Sequence, residues 1–257
     1  MSGKKSAPPD PARSLALLWG SHTKPGRSGL TVRSIVQAAI ELADTSGIEA
    51  VSMRLVAEQL KVGTMSLYTH VPGKGELTDL MFDTVYGSLY ADVDEPSRQP
   101  GGWRGALEFI ARHNWDVLTQ HPWLHDISVG RNALGPNISL KYEAELRPLD
   151  GLGLTDVEMD STLALVLTHV AGTARAGADQ LRTQQESGMS DEEWWLTTSP
   201  VLERYMAGLA DKFPVAGRVG TSAGQEYQAT MNADHALTFG LTRILDGTAL
   251  LIADRTT

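Results

Sequence analysis

The stretch from Ser52 to Lys74, SMRLVAEQLKVGTMSLYTHVPGK, sets two short amphipathic segments on either side of a tight break, and few folds accept that arrangement. Val56, Ala57 and Leu60 share one face of the first segment, and Ser52 can cap it. Lys61-Val62-Gly63 interrupts the pattern. A second helix, about two turns long, is predicted over Thr64 to His70, and Pro72 with Gly73 ends it. Only Leu67 points to a core; the other positions carry Thr64, Met65, Ser66, Tyr68, Thr69 and His70. A short helix with so little apolar surface is held by its neighbours and has another use for its polar face.

Its neighbours read as helices too. Val32, Ile35, Val36, Ala39, Ile40 and Ala43 follow helical spacing, with Thr31 as cap and Gly47 as stop. Leu77, Leu80, Met81 and Val85 mark the next helix. After Tyr90 the polar run ADVDEPSRQPGG reads as a boundary. Beyond it Trp103, Leu107, Ile110 and Leu118 line a further helix, and Ser/Thr-x-x-Glu/Gln boxes at Thr155, Ser190 and Ser222 announce others. No convincing alternation marks a strand, so the expected fold is all-α, with nine or ten helices. Three parts are expected: a basic, flexible tail over 1–29, in which LALLW at 15–19 docks as a helical turn; a helix-turn-helix domain over 30–90; and a larger helical domain over 91–257. The glycine-rich run 213–224 reads as a mobile loop.

Composition narrows the function. Apolar residues make up 42% of the chain, and no run of about 18 uncharged apolar residues is present, so no membrane span is expected. The first lysines precede no apolar stretch, so no secretory signal is read, and the absence of cysteine removes disulfides and thiolate metal sites. A cytoplasmic setting is expected, with no cofactor. The net charge of −9 argues at first against nucleic acid. Its distribution reverses that: Lys4, Lys5, Arg13, Lys24, Arg27 and Arg33 stand against Asp10 alone in residues 1–33, while the acidity lies mainly beyond residue 90.

A pair of helices joined by a tight turn is the arrangement in which the second helix enters the major groove of DNA. Thr64, Ser66 and Thr69 can reach base edges or phosphates, and Met65 can meet a thymine methyl. Tyr68, His70 and Lys74 can bond phosphate oxygens, helped by the free N–H groups of the helix that starts at Lys74. The segment from Thr31 to Met81 resembles the DNA-binding domain of TetR-family transcriptional repressors. The resemblance rests on AAIEL at 38–42, GIEAVSMRLVAEQL at 47–60, the pattern V-x-x-x-S-L-Y-x-H-V at 62–71, and a lysine four residues after His70. It implies DNA contacts from Arg54, Thr64, Met65, Ser66, Tyr68, Thr69, His70 and Lys74, on a double-stranded operator. The family usually has glycine where Lys61 stands, so Lys61 is expected at a positive φ, at a cost of about 1 kcal/mol.

In the larger part, Asn114 shares a face with Ile110 and Leu118, and Thr168, His169 and Thr173 interrupt an apolar helix. With the aromatic residues Trp115 and Trp123 these are candidates to line a pocket for a small-molecule effector. The resemblance implies a homodimer paired through the last long helices, for which Gly172, Ala176 and Gly240 allow close approach. The reading is a ligand-responsive repressor and not an enzyme. Two rivals remain: a regulator controlled by a protein partner, and an all-α enzyme or carrier with a vestigial DNA-binding domain. GTSAG at 220–224 matches a hydrolase elbow only in letters, because no strand precedes it, and Ser222 reads as a helix cap. His121 and His125 have i,i+4 spacing, but Pro122 between them argues against a metal pair.

Overall fold

The computed structural model describes residues 11–20, 29–127, 134–206 and 212–255. Among these residues every α or β element is a helix: α1 Pro11–Leu18, α2 Val32–Ser46, α3 Met53–Gln59, α4 Thr64–Tyr68, α5 Lys74–Tyr86, α6 Gly102–Gln120, α7 Pro136–Leu146, α8 Asp156–Ser187, α9 Asp191–Met206, α10 Pro214–Tyr227 and α11 Ala233–Arg255. Short 3-10 turns connect them.

The caps read from the sequence fix four of the eleven helix starts among the described residues. Thr31 Oγ1 accepts from the Ser34 amide at 3.0 Å, and Ser34 Oγ accepts from the Thr31 amide at 3.1 Å. Gly47, at φ 78°, ends α2. Ser52 caps α3 through the Leu55 amide, and Thr155 with Glu158 forms a reciprocal cap on α8. The Glu158 carboxyl is held down at about 2, first by the Thr155 amide and then by Arg255. Ser190 and Glu193 make the same exchange before α9.

The turn between α3 and α4 is a Schellman motif with lysine in the glycine position. The Val62 amide donates to Ala57 O at 3.0 Å, the Lys61 amide to Glu58 O at 3.1 Å, and Lys61 sits at φ 57°. Gly63, at φ −71°, is an ordinary N-cap. The helix expected over Thr64 to His70 ends at Tyr68, with Thr69 as its C-cap. Leu67 is completely buried and Val71 follows it into the core.

Two expectations are corrected and one is extended: the helical turn expected at 15–19 belongs to the longer α1, which packs on α5 with Leu18 buried and the Ser14 hydroxyl donating to Asp79. Residues 1–10 and 21–28 lie outside the described residues. The expected loop over 213–224 is α10, started by Pro214, whose missing N–H costs nothing at the first helical position. Gly224 admits the Trp195 ring, which would lie 1.9 Å from an added Cβ. Ser222 is therefore inside a helix, donating to Arg218 O at 3.1 Å, and caps nothing.

The segment after Tyr90 does not part the molecule into two cores. Arg98 pairs with Asp92 at 2.8 Å, Arg147 reaches Asp94, and Pro96 is buried. One hydrophobic cluster runs from Ile35 and Leu67 through Leu107 and Ile110 to Leu163 and Leu245. The long helices α8 and α11 pack along each other, with α6 against α8. Gly240 serves that packing within the chain: an added Cβ would lie 2.3 Å from the His169 ring. By length and composition α11 could cross a membrane, but Leu237, Leu241 and Leu245 form its buried stripe against the bundle.

Lys61→Gly is expected to stabilise the protein by about 0.5 kcal/mol, the left-handed penalty being partly offset by the greater freedom of an unfolded glycine. Lys61→Val is expected to destabilise it by about 1 kcal/mol or more. Urea midpoints at constant slope read both.

Candidate DNA-binding face and effector cavity

The polar side of α4 is open. Met65 is 76% exposed, Tyr68 is 45% exposed, Thr69 is exposed, and Thr64, Ser66 and His70 are half-buried. The Thr69 hydroxyl donates to Ser66 O at 2.7 Å, which leaves its lone pairs outward. Lys74, at the first turn of α5, donates to Ile48 O at 3.0 Å. An ammonium has three N–H groups, so this bond fixes the side chain and leaves two donors. Arg54 lies on the exposed side of α3 and pairs with Glu58 one turn on. Arg54, Thr64, Met65, Ser66, Tyr68, Thr69, His70 and Lys74 thus lie on the packed α3–α4 pair, the residues just after it and the start of α5.

The far end of α5 is joined to α7. Asp83, buried to 4% exposure, accepts from the Ile138 amide at 3.0 Å and so caps α7 from another helix. Burial raises the Asp83 pKa, and bonds from Ile138 and Asn137 oppose that rise. Gly135 is required there, because a Cβ would lie 2.2 Å from Asp83 Oδ1. Beside this joint, the fully buried Glu145 of α7 accepts from Lys141 at 2.6 Å, from Tyr90 at 2.8 Å and from Asn114 at 2.7 Å. Burial and Glu145 together push the Tyr86 hydroxyl up to about 12, and the Tyr90 hydroxyl up as well.

A cavity of about 690 Å³ opens between the end of α6, the C-terminal half of α8, the start of α9, the end of α10 and the start of α11. Ala174, Gly177, Ala178 and Ala233 line it with small side chains, Trp115 and Tyr227 with rings, and Gln180 and Gln184 with amides. Of the six residues expected to line a pocket, the structure brings only Trp115 to it. Four of the other five have partners elsewhere, and the fifth is exposed. Asn114 belongs to the Glu145 network, and Trp123 donates to Asp44 at 2.7 Å. His169 bonds Leu237 O at 3.1 Å, and Thr173 donates to His169 O at 2.8 Å. Thr168 is exposed on the outer side of α8. Polar residues in an apolar helix marked satisfied packing here, not a pocket. Sequence reasoning missed Gln180, Gln184 and Tyr227; the signal available was the run of small residues at Ala174, Gly177 and Ala178, which leaves room beside α8.

Comparison with known proteins bears on both regions. Residues 35–80 match the model of bacterial regulatory proteins of the tetR family, and residues 95–252 match the tetracyclin repressor-like C-terminal domain. The chain belongs to the TetR family. It is 38% identical to the HTH-type transcriptional repressor DrrR1 of Streptomyces coeruleorubidus, over 99% of this chain and 91% of that one. It is 32% identical to an HTH-type transcriptional regulator of Saccharopolyspora erythraea, over 81% of each. Among solved structures, apo ActR from Streptomyces coelicolor superposes with a TM-score of 0.67 at 28% identity, covering 91% of this chain and 98% of that one. ActR in complex with actinorhodin superposes with a TM-score of 0.66 at 28% identity, covering 87% and 98%. The protein is therefore a DNA-binding transcriptional regulator of the TetR family, with a helix-turn-helix in α3 and α4.

Removing the cap that joins α5 to α7 should be felt in stability. Asp83→Ala is expected to cost about 1–2 kcal/mol and Asp83→Asn, which keeps an acceptor, less than half of that. Chemical denaturation of the two variants beside the parent measures it.

Proposed function

We propose that this TetR-family regulator acts in the cytoplasm as a homodimeric repressor that leaves a palindromic operator when a small molecule enters the α6–α8 cavity. The observation that carries the reading is the placement of two neighbours on α6. Trp115 lines the cavity, and Asn114 bonds Glu145 in the network beside the α5–α7 joint. A ligand that rotates or displaces this end of α6 disturbs Asn114, then α7, then α5 and the recognition helix α4. Ligand and operator then weaken each other by the same factor. That ActR has been solved with actinorhodin supports a ligand site in this domain. It favours the small molecule over a protein partner as the controlling signal.

Arg54, Thr64, Met65, Ser66, Tyr68, Thr69, His70 and Lys74 are proposed to contact the operator, α4 lying in the major groove. Tyr68, His70 and Lys74 take phosphates. The dimer face is assigned to α8 and α11. Val157 and Leu165 on α8, and Phe239 and Leu250 on α11, are large apolar side chains left between 54% and 74% exposed. Thr168 and Gly172 belong to the same outer face of α8 as Leu165.

Mobility-shift titrations on the DNA flanking the gene test the interface. Tyr68→Ala and Lys74→Ala are each expected to weaken operator binding about tenfold, and Lys74→Ala to lower the salt slope by about 1. Sequence-selective binding that survives both changes unaltered sinks the assignment of α4. Phe239→Asp with Leu250→Asp is expected to give a monomer by sedimentation and to abolish binding to the full palindrome.

A further inference from the structure

The cavity has a charge pattern that the repressor reading does not use. Two carboxylates line it at the first turn of α9, Asp191 and Glu192. Asp191 accepts from Gln184 at 2.8 Å and from Gln180. Both donors are neutral amides, which orient the carboxylate without cancelling its charge. Among the described residues, neither Asp191 nor Glu192 has a basic partner within ion-pair distance; Arg182, the one basic residue lining the cavity, pairs with Asp179 at 3.5 Å. The cap of α9 does not need these two acids, because Ser190 and Glu193 complete it between themselves. Trp115 and Tyr227 line the same cavity, and the small residues of α8 and α11 form its floor. An added Cβ at Gly177 would come to 3.2 Å from Ala233 Cβ, so α8 and α11 approach closely there.

We propose that the effector is a planar aromatic cation. Its ring lies on the floor of α8 between Trp115 and Tyr227, and its positive charge meets Asp191 and Glu192 while also facing the ring quadrupoles. The inference rests on the assignment of this cavity as the effector site. A planar anion of the same size is selected against, since it would bring a third negative charge beside two carboxylates that have no basic partner among the described residues.

Two xanthene dyes of like ring size separate the cases: rhodamine 123, a cation, and fluorescein, a dianion at pH 7.5. Dye anisotropy with the full-length protein gives both affinities, and operator binding shows that each variant is folded. Rhodamine 123 is expected to bind at least about tenfold more tightly than fluorescein, to release the operator, and to lose that advantage in Asp191→Asn/Glu192→Gln. Equal or tighter fluorescein binding, or rhodamine binding unchanged in the double variant, overturns the cation and leaves the effector site standing. If neither dye binds a protein that still holds its operator, the proposed cation and the cavity assignment fall together.

Discussion

A buried carboxylate that must find donors organises the molecule. Asp83 leaves water on α5 and finds its donors on α7, where the free N–H groups of a helix start would otherwise be unpaired. The cost of breaking that match is about 1–3 kcal/mol, because an uncapped helix end and an unsatisfied carboxylate appear together. Gly135 permits the approach, and Gly87 permits the neighbouring one, where a Cβ would lie 2.7 Å from the Asn137 amide. One turn earlier on the same face, α5 carries α1 through Ser14 and Asp79. The indole of Trp19 then donates to Leu134 O at 2.9 Å, just before α7. The DNA-binding half is therefore fastened to the larger half through α5 and α1, and again through α2, where Asp44 accepts from Trp123 at 2.7 Å.

This fastening suits a switch. A coupling free energy of about 1–3 kcal/mol is typical of ligand control, and polar contacts of the kind at the joint are individually of that size. Such contacts are made or lost, not stretched, so small displacements of α6 produce discrete states. Glu145 adds to this. A completely buried carboxylate with three donors, from α6, from α7 and from Tyr90 four residues beyond α5, tolerates the loss of none cheaply.

The sequence carried local information well and distant information poorly. The caps at Thr31, Ser52 and Thr155, the all-α class and the helix-turn-helix were legible because each is written within a few residues. The positive φ of Lys61 was legible only through the family resemblance, which puts glycine at that position; the Schellman turn is its physical cause. α10 was hidden because Gly217, Gly220 and Gly224 lower its propensity, while the contact that uses Gly224, with Trp195, spans a turn of chain that no period reveals. The cavity failed for a related reason. His169 looked like a ligand group in an apolar helix, yet its partner is the Leu237 carbonyl 68 residues away, brought close by Gly240. The residues that do line the cavity lie on the half of α8 that looks merely polar and solvated.

The recognition helix ties these points together. With five residues, α4 is far below the length at which a helix holds itself together in water. Its direction is set by what grips it: the Schellman turn from α3, the buried Leu67 and Val71, and the start of α5 three residues beyond Val71. Lys74 ties that start to Ile48 O in the connection between α2 and α3. A helix of this size cannot resist its supports, so when α5 moves α4 moves with it. In the proposed dimer the groove spacing is then set by α5, whose Asp83 caps α7. The strained backbone at Lys61 has a place in this: a lysine held where glycine is easier stiffens the turn, since fewer alternative conformations remain open to it. A stiff turn transmits the position of α5 and α3 to α4, where a glycine hinge would absorb it.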